Sequence, residues 1–133
     1  MDRYKTLISI IALLMVGCTT ILFNSKMGNF ENISKAYENA LRASDFETAY
    51  QFIDPEVIKG ETDFNKYKNI KVVEYEVKKS SLSGDNLEVY QIAEINYYKL
   101  GSYILRTIRH KELWKYNEEN KSWLLQSGLP DFE

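Results

Sequence analysis

The sequence predicts an α+β domain in which N-terminal helices pack on a curved four-stranded antiparallel sheet. Apolar residues recur at helical spacing in the first part of the domain, and the period changes to two from Ile70 onward. Turn-forming sequences then separate four strand-like segments. Helices that precede a run of strands are typical of α+β folds, and 133 residues suffice for one such domain.

The N-terminus has the pattern of an export signal. A short charged flank precedes the apolar run Leu7–Val16, and the small residue Gly17 stands directly before Cys18, the one cysteine of the chain. The four residues Met15–Cys18 resemble a bacterial lipobox, in which the cysteine receives a lipid and the signal is cleaved before it. The sequence therefore predicts a membrane anchor on Cys18.

This interpretation divides the chain into a signal peptide at 1–17, a lipidated cysteine and tether at 18–29, and a folded domain at 30–133. One alternative is an uncleaved signal anchor, because Thr6–Ser25 is uncharged over a length near that needed to span a bilayer. In another, Cys18 is an ordinary apolar residue of that helix. All of them predict an exported protein that is anchored in the membrane of a bacterial cell envelope, with its domain outside the cytoplasm.

Two helices are predicted first in the domain. One covers 30–43, and a second begins after Asp45, whose side chain is a typical helix cap. This second helix ends at Asp54, because the residue before a proline is disfavoured in the helical conformation. The apolar residues at helical spacing are Phe30, Ile33, Tyr37, Ala40 and Leu41 in the first helix, and Phe46, Ala49, Tyr50 and Ile53 in the second.

Four strands follow. In the first, Val73, Tyr75 and Val77 alternate with charged residues, which predicts one buried face. The second covers the region from Leu87 to Tyr97, the third runs from about Tyr103 to Tyr116, and the fourth is Ser122–Ser127. The turn sequences between them are rich in Gly, Ser, Asp and Asn.

Two stretches then suggest a family. The second-helix sequence "SDFETAYQFIDP" and the ending "LWKYNEENKSWLLQSGLPDF", with Trp114, Trp123 and Pro130, resemble the nuclear transport factor 2-like superfamily, in particular its small bacterial lipoproteins. The resemblance implies a cone-shaped sheet around the helices, with a cavity at its wide end. Members of the superfamily include isomerases, dehydratases and cyclases as well as non-enzymatic binding and assembly modules, so the fold leaves the function open.

The third strand holds the candidate binding residues. Residues two apart share a face, so Arg106, His110 and Glu112 lie on the same side as the apolar Ile108 and Trp114. Polar groups that converge in an apolar pocket define a binding-site hypothesis. We therefore expect a pocket lined by Arg106, His110, Glu112 and Trp114, in which Glu112 is placed to orient His110. The alternative is a structural network of paired polar groups.

Composition limits the function further. A net charge of −2 argues against a nucleic-acid partner, because phosphate binding needs an excess of clustered Lys and Arg. One histidine and one cysteine make no metal constellation, and phosphate loops and nucleophile elbows are absent from the sequence, so we expect no metal, no cofactor and no enzyme activity. The sequence favours a non-enzymatic module that binds a small apolar ligand or a peptide. The alternatives are an envelope or secretion-machine assembly protein that contacts its partners through the sheet and, after it, a small isomerase- or dehydratase-like enzyme.

Overall fold

The computed structural model of the protein describes residues 25–133. Helix α1 covers 25–42 and α2 covers Phe46–Tyr50. Two short 3-10 helices at Pro55–Val57 and Phe64–Tyr67 lead into four antiparallel strands in the order β1-β2-β3-β4. The predicted α+β fold with helices packed on a four-stranded antiparallel sheet is confirmed. The strands are β1 (Ile70–Leu82), β2 (Glu88–Lys99), β3 (Arg106–Asn117) and β4 (Ser122–Leu125).

A tight reversal joins the two α-helices. Ser44 adopts a left-handed conformation (φ 56°), its N–H donates to the carbonyl of Leu41, and the Asp45 N–H donates to the carbonyl of Ala40. These two bonds form a Schellman motif, which satisfies carbonyls at the end of α1. The Asp45 side chain then accepts from the Thr48 N–H, 3.1 Å away, and caps α2.

The first strand departs from the predicted alternation. Register shifts at Val72/Glu74 and Val77/Lys79 insert extra residues, and Val73 is 54% exposed instead of sharing the buried face with Tyr75. A bulge leaves one residue unpaired and bends its strand, so simple alternation fails on either side of it. Val77 stands opposite the buried Ala93 in the register but is itself 40% exposed.

The third strand begins later than predicted. Tyr103 has a positive φ of 51°, and the chain from Leu100 to Leu105 forms the turn between β2 and β3. Strand pairing starts only at Arg106, opposite Tyr97. Ile104, which falls within the predicted third strand, lies in this turn and is 60% exposed.

The core lies between α1, the inner face of the sheet and the C-terminal segment. We call the sheet face that packs against α1 the inner face and the opposite one the outer face. Trp114 and Trp123 are fully buried and pack edge-on against Phe30, with ring centroids 6.0 and 5.2 Å from it. At the other end of the sheet, Phe132 packs against a second group of aromatic rings: Phe46, Tyr67 and Tyr97.

Other chain segments occupy parts of the sheet edges. Beside β4, Asp54 N–H donates to the carbonyl of Leu125, whose own N–H donates to the carbonyl of Phe52. Beside β1, the Arg42 guanidinium donates to the Tyr75 carbonyl at 2.7 Å, and the Ser44 hydroxyl accepts from the Val72 N–H at 3.0 Å. The chain before and after α2 therefore limits where another strand can add.

The predicted signal peptide, the lipidated Cys18 and most of the tether lie outside the described residues. Between residues 25 and 133, no helix combines the length and the apolar character that crossing a bilayer requires.

Candidate functional site

The predicted third-strand residues lie at different depths of one strand face. Trp114 and Glu112 are almost completely buried beneath α1, His110 is partly buried, and Arg106 is exposed. The ring of Tyr37, from α1, packs edge-on against Trp114 with centroids 5.4 Å apart. The face therefore runs from the packed interior to the surface.

Glu112 is an acid held by two neutral donors. Its carboxyl group accepts a hydrogen bond from the Tyr75 hydroxyl at 2.7 Å and another from the Trp114 indole N–H at 3.2 Å. The residue is 1% exposed. No Lys or Arg pairs with this carboxyl group among the described residues. Such burial is costly for a charged carboxylate and much less so for a protonated one.

The pKa of Glu112 reflects this environment. Burial raises the pKa to about 7, the bonds from Tyr75 and Trp114 oppose the rise, and the nearby Glu38 adds to it. Burial and the Glu112 charge also raise the pKa of Tyr75 well above its usual range. Below neutral pH the cluster therefore holds a neutral carboxyl group and a neutral phenol.

His110 lies apart from Glu112 in its contacts. Its Nε2 atom is 3.5 Å from the Tyr37 hydroxyl, while both oxygens of Glu112 bind other side chains. Burial lowers the pKa of His110 to about 4. The arrangement expected from the sequence, in which Glu112 orients His110, is thus replaced by a His110–Tyr37 contact.

Arg106 does not join these groups. Its guanidinium donates to the carbonyl of Glu133 at 3.3 Å, and the same carbonyl accepts from the Tyr97 hydroxyl at 3.0 Å. The structure therefore brings Glu112 and Trp114 into direct contact and leaves Arg106 at the surface. The assignment of these four residues to a binding pocket stays a prediction.

Sequence reasoning did not identify the partners of Glu112. Tyr75 comes from β1, 37 residues away. Gln91 stands directly opposite Glu112 in the β2–β3 register, and its buried Oε1 atom has no hydrogen-bond partner. The alternation along β1 and β2 was a signal that Tyr75 and Gln91 lie on the inner face. The pairing of the strands was needed to place them beside Glu112.

Two clefts in the described part of the chain lie away from this cluster. One of about 260 Å³ lies between the segment after α2 and the C-terminal segment, and its lining includes Tyr50, Lys66 and Leu129. Another of about 430 Å³ adjoins the start of α1 beside Tyr116 and Lys121. Neither reaches Glu112 or Trp114, so neither brings a ligand to the buried carboxyl group.

The outer face has a small depression near the β1–β2 turn. It measures about 150 Å³ and is lined by the outer-face residues Tyr90 and Leu113, by Leu82 at the end of β1, and by the polar residues Ser81, Ser83 and Glu88. Tyr90 stands opposite Leu113 in the register and is 38% exposed. Beside them, Lys115 and Glu88 form an ion pair at 3.3 Å. An apolar centre with a polar rim is the usual arrangement of a protein-contact site.

In the described part of the chain, no group of three or more His, Cys, Asp or Glu side chains is placed to hold a metal ion. No protein-family model matches the sequence, and no curated protein or solved structure matches it. The assignment of function therefore rests on the contacts described above.

Proposed function

We propose that the chain is an exported, membrane-tethered protein of the cell envelope that contacts a protein partner through the outer face of its sheet. The observation that carries this proposal is the apolar depression between Tyr90 and Leu113, which opens on that face. Tyr90 supplies a large, rigid contact at low entropic cost, as tyrosines do in many interfaces.

The charges around the depression support the same use. The Lys115–Glu88 and Arg109–Glu94 pairs lie across neighbouring strands of the outer face. Exposed ion pairs contribute little to folding stability. At the rim of an interface, such charges favour partners of complementary charge and set the orientation of docking.

Packing of the interior argues against the ligand-binding alternative. The space behind β3 is filled by large side chains, of which Trp114, Tyr37 and Tyr97 are all at most 1% exposed. A ligand site of ordinary size needs a preformed cavity of about 300–1,000 Å³. The cleft of about 260 Å³ beside Tyr50 falls below this size. The cleft of about 430 Å³ beside Tyr116 is large enough, but most of the residues that line it are polar or charged.

One observation favours the enzyme alternative. Glu112 and Tyr75 form a carboxyl–phenol pair in apolar surroundings, the kind of pair that proton-transferring isomerases use. However, both groups are buried and bind each other, which leaves no room for a reacting atom beside them. We therefore assign the pair a structural role.

Membrane tethering rests on the sequence Met15–Cys18 and on the apolar run before it. We also propose that the domain is a nuclear transport factor 2-like cone. The helices that precede the sheet, the two bulges in β1 that bend the strand, and the burial of α1 against the inner face all support this more specific fold.

Site-specific photocrosslinking in the native host tests the partner proposal. A photoreactive phenylalanine analogue at Tyr90 or Leu113 should give a discrete adduct of higher mass, and the same analogue at Lys121, in the β3–β4 turn, should give none. Tyr90→Glu should abolish the adduct formed from position 113, because the new carboxylate places a charge in the apolar centre. Absence of adducts at both outer-face positions, or equal adducts at Lys121, would refute the proposal.

A further inference from the structure

The turn between β2 and β3 holds the three most exposed large apolar residues of the described chain. Tyr103, Ile104 and Leu105 are 71%, 60% and 61% exposed, and Leu100 is 42% exposed. Isolated exposed apolar residues are ordinary, but three in succession at a protruding tip are not explained by folding. We call the segment Leu100–Leu105 the apolar tip.

The apolar surface surrounds the tip instead of covering one side of it. Tyr103 has a left-handed backbone (φ 51°), and Tyr103, Ile104 and Leu105 are each at least 60% exposed, so the domain covers the apolar groups on neither side of the segment. A flat protein surface would cover only one of these sides. A medium that encloses the tip, such as the outer layer of a lipid bilayer, covers both.

Basic residues flank the tip. The chain has no acidic residue between Glu94 and Glu112, and that stretch contains Lys99, Arg106, Arg109 and Lys111. The Leu100 N–H donates to the carbonyl of Asn69, and β1 pairs with the end of β2, so two further lysines lie close to the tip. We call Lys68, Lys71, Lys99 and Arg106 the basic collar. Glu133, whose backbone carbonyl accepts from Arg106, is an acidic residue beside the collar, where basic residues remain in excess.

From these observations we infer that the apolar tip inserts into the surface of an anionic lipid bilayer. Apolar side chains enter the boundary between headgroups and acyl chains, while the collar contacts negatively charged headgroups. Tyr98 and Tyr103, whose rings lie 5.6 Å apart, are aromatic residues of the kind that favours this boundary. The charge of the collar makes an anionic lipid the favoured occupant over an apolar protein groove.

The tip lies at the end of the domain opposite to the start of α1. Lys26 contacts Glu118 at 3.3 Å and Trp123 at 3.0 Å, which places the start of α1 beside the β3–β4 turn. The 12 residues of β3 separate that turn from the tip by about 36 Å. The tip is therefore far from the start of α1, and this inference does not depend on the outer-face contact proposed above.

The test uses the full chain reconstituted in phosphatidylcholine vesicles, with an environment-sensitive dye at Ile104→Cys in a Cys18→Ser background. Added vesicles of phosphatidylcholine and phosphatidylglycerol in equal parts should shift the dye emission to the blue and raise its intensity. The matched control carries the dye at Gly84→Cys, in the polar β1–β2 turn, where an added side chain meets no neighbour within 4 Å. With the added vesicles, the emission of the dye at position 84 should stay the same as in water.

Two further variants separate the apolar and charged contributions. Tyr103→Ser with Leu105→Ser should remove the response, and because both side chains are exposed, the fold should be unaffected. Lys99→Gln or Arg106→Gln should each weaken the response about fivefold, as expected for the loss of one basic residue near an anionic surface. An unchanged dye emission at position 104 with every vesicle would overturn the inference and make the tip a protein contact. Equal responses at positions 84 and 104 would overturn it as well.

Discussion

Glu112 and His110 are expected to have opposite effects on the pH dependence of stability. Burial raises the pKa of Glu112 from 4.5 to about 7, so its stabilising contribution is complete below pH 4.5 and is lost as the pH rises through 7. Burial lowers the pKa of His110 from 6.5 to about 4, so its contribution is complete above pH 6.5 and is lost as the pH falls through 4. Between pH 4.5 and 6.5 the two effects oppose each other.

Each effect is large enough to measure. The change for Glu112, from 4.5 to about 7, corresponds to about 3 kcal/mol of unfolding free energy. The change for His110, from 6.5 to about 4, is of about the same size and has the opposite sign. Between pH 4.5 and 6.5, each group binds a proton in only one of the two states, folded or unfolded. The two contributions to the unfolding free energy then change by about 1.4 kcal/mol per pH unit in opposite directions and nearly cancel. Wild type should therefore show little pH dependence from this pair.

Single substitutions should reveal each slope. In urea unfolding of residues 26–133, Glu112→Gln should make stability rise with pH between 4 and 6.5, because only His110 remains. His110→Asn should make stability fall between pH 4.5 and 7, because only Glu112 remains. Titrating groups elsewhere, such as Asp45 and Asp85, are common to all three proteins, so the differences between the curves isolate the pair. Curves that run parallel to wild type would refute the assignment of these two protonation states.

Four other outcomes are expected. Trp123→Ala should lower the unfolding free energy in urea by about 3–5 kcal/mol, because the ring is buried against Phe30 and its N–H donates to the Lys26 carbonyl. A smaller loss than that of Tyr103→Ala would contradict its place in the core. Asp45→Ala should cost about 1 kcal/mol through loss of the α2 cap, and Asp45→Asn should restore most of it. Residues 26–133 should be soluble when expressed alone and melt at the same temperature with and without a chelator. Cys18→Ser should abolish incorporation of radioactive palmitate and leave the precursor uncut, and a wild-type chain that takes up no label would favour the signal-anchor alternative.

The sequence was most informative where a local pattern decides the structure. The helical spacing of Phe30, Tyr37 and Leu41 predicted the buried face of α1, and Asp45 marked the start of α2. These features depend on neighbouring residues alone.

Features that depend on pairing were not predicted. The bulge that exposes Val73 depends on how β1 aligns with β2, and the late start of β3 depends on the positive φ of Tyr103. For the candidate site, the shared face of His110 and Glu112 followed from alternation along one strand. Their actual partners, Tyr37 and Tyr75, come from other elements, and no spacing within β3 indicates them.

The contacts at the sheet edges matter for a protein held at a membrane, as we propose for this one. Confinement to a surface raises local concentration, and unpaired strand edges then favour the growth of intermolecular sheets. Arg42 and Ser44 occupy backbone groups of β1 beside its first bulge, and Phe52–Asp54 pairs with β4. Farther along β1, Lys78 and Lys79 place charge where a neighbouring strand would pair. Crowded copies of the domain can therefore lie side by side without joining their sheets, which keeps the outer face and the apolar tip available for their own contacts.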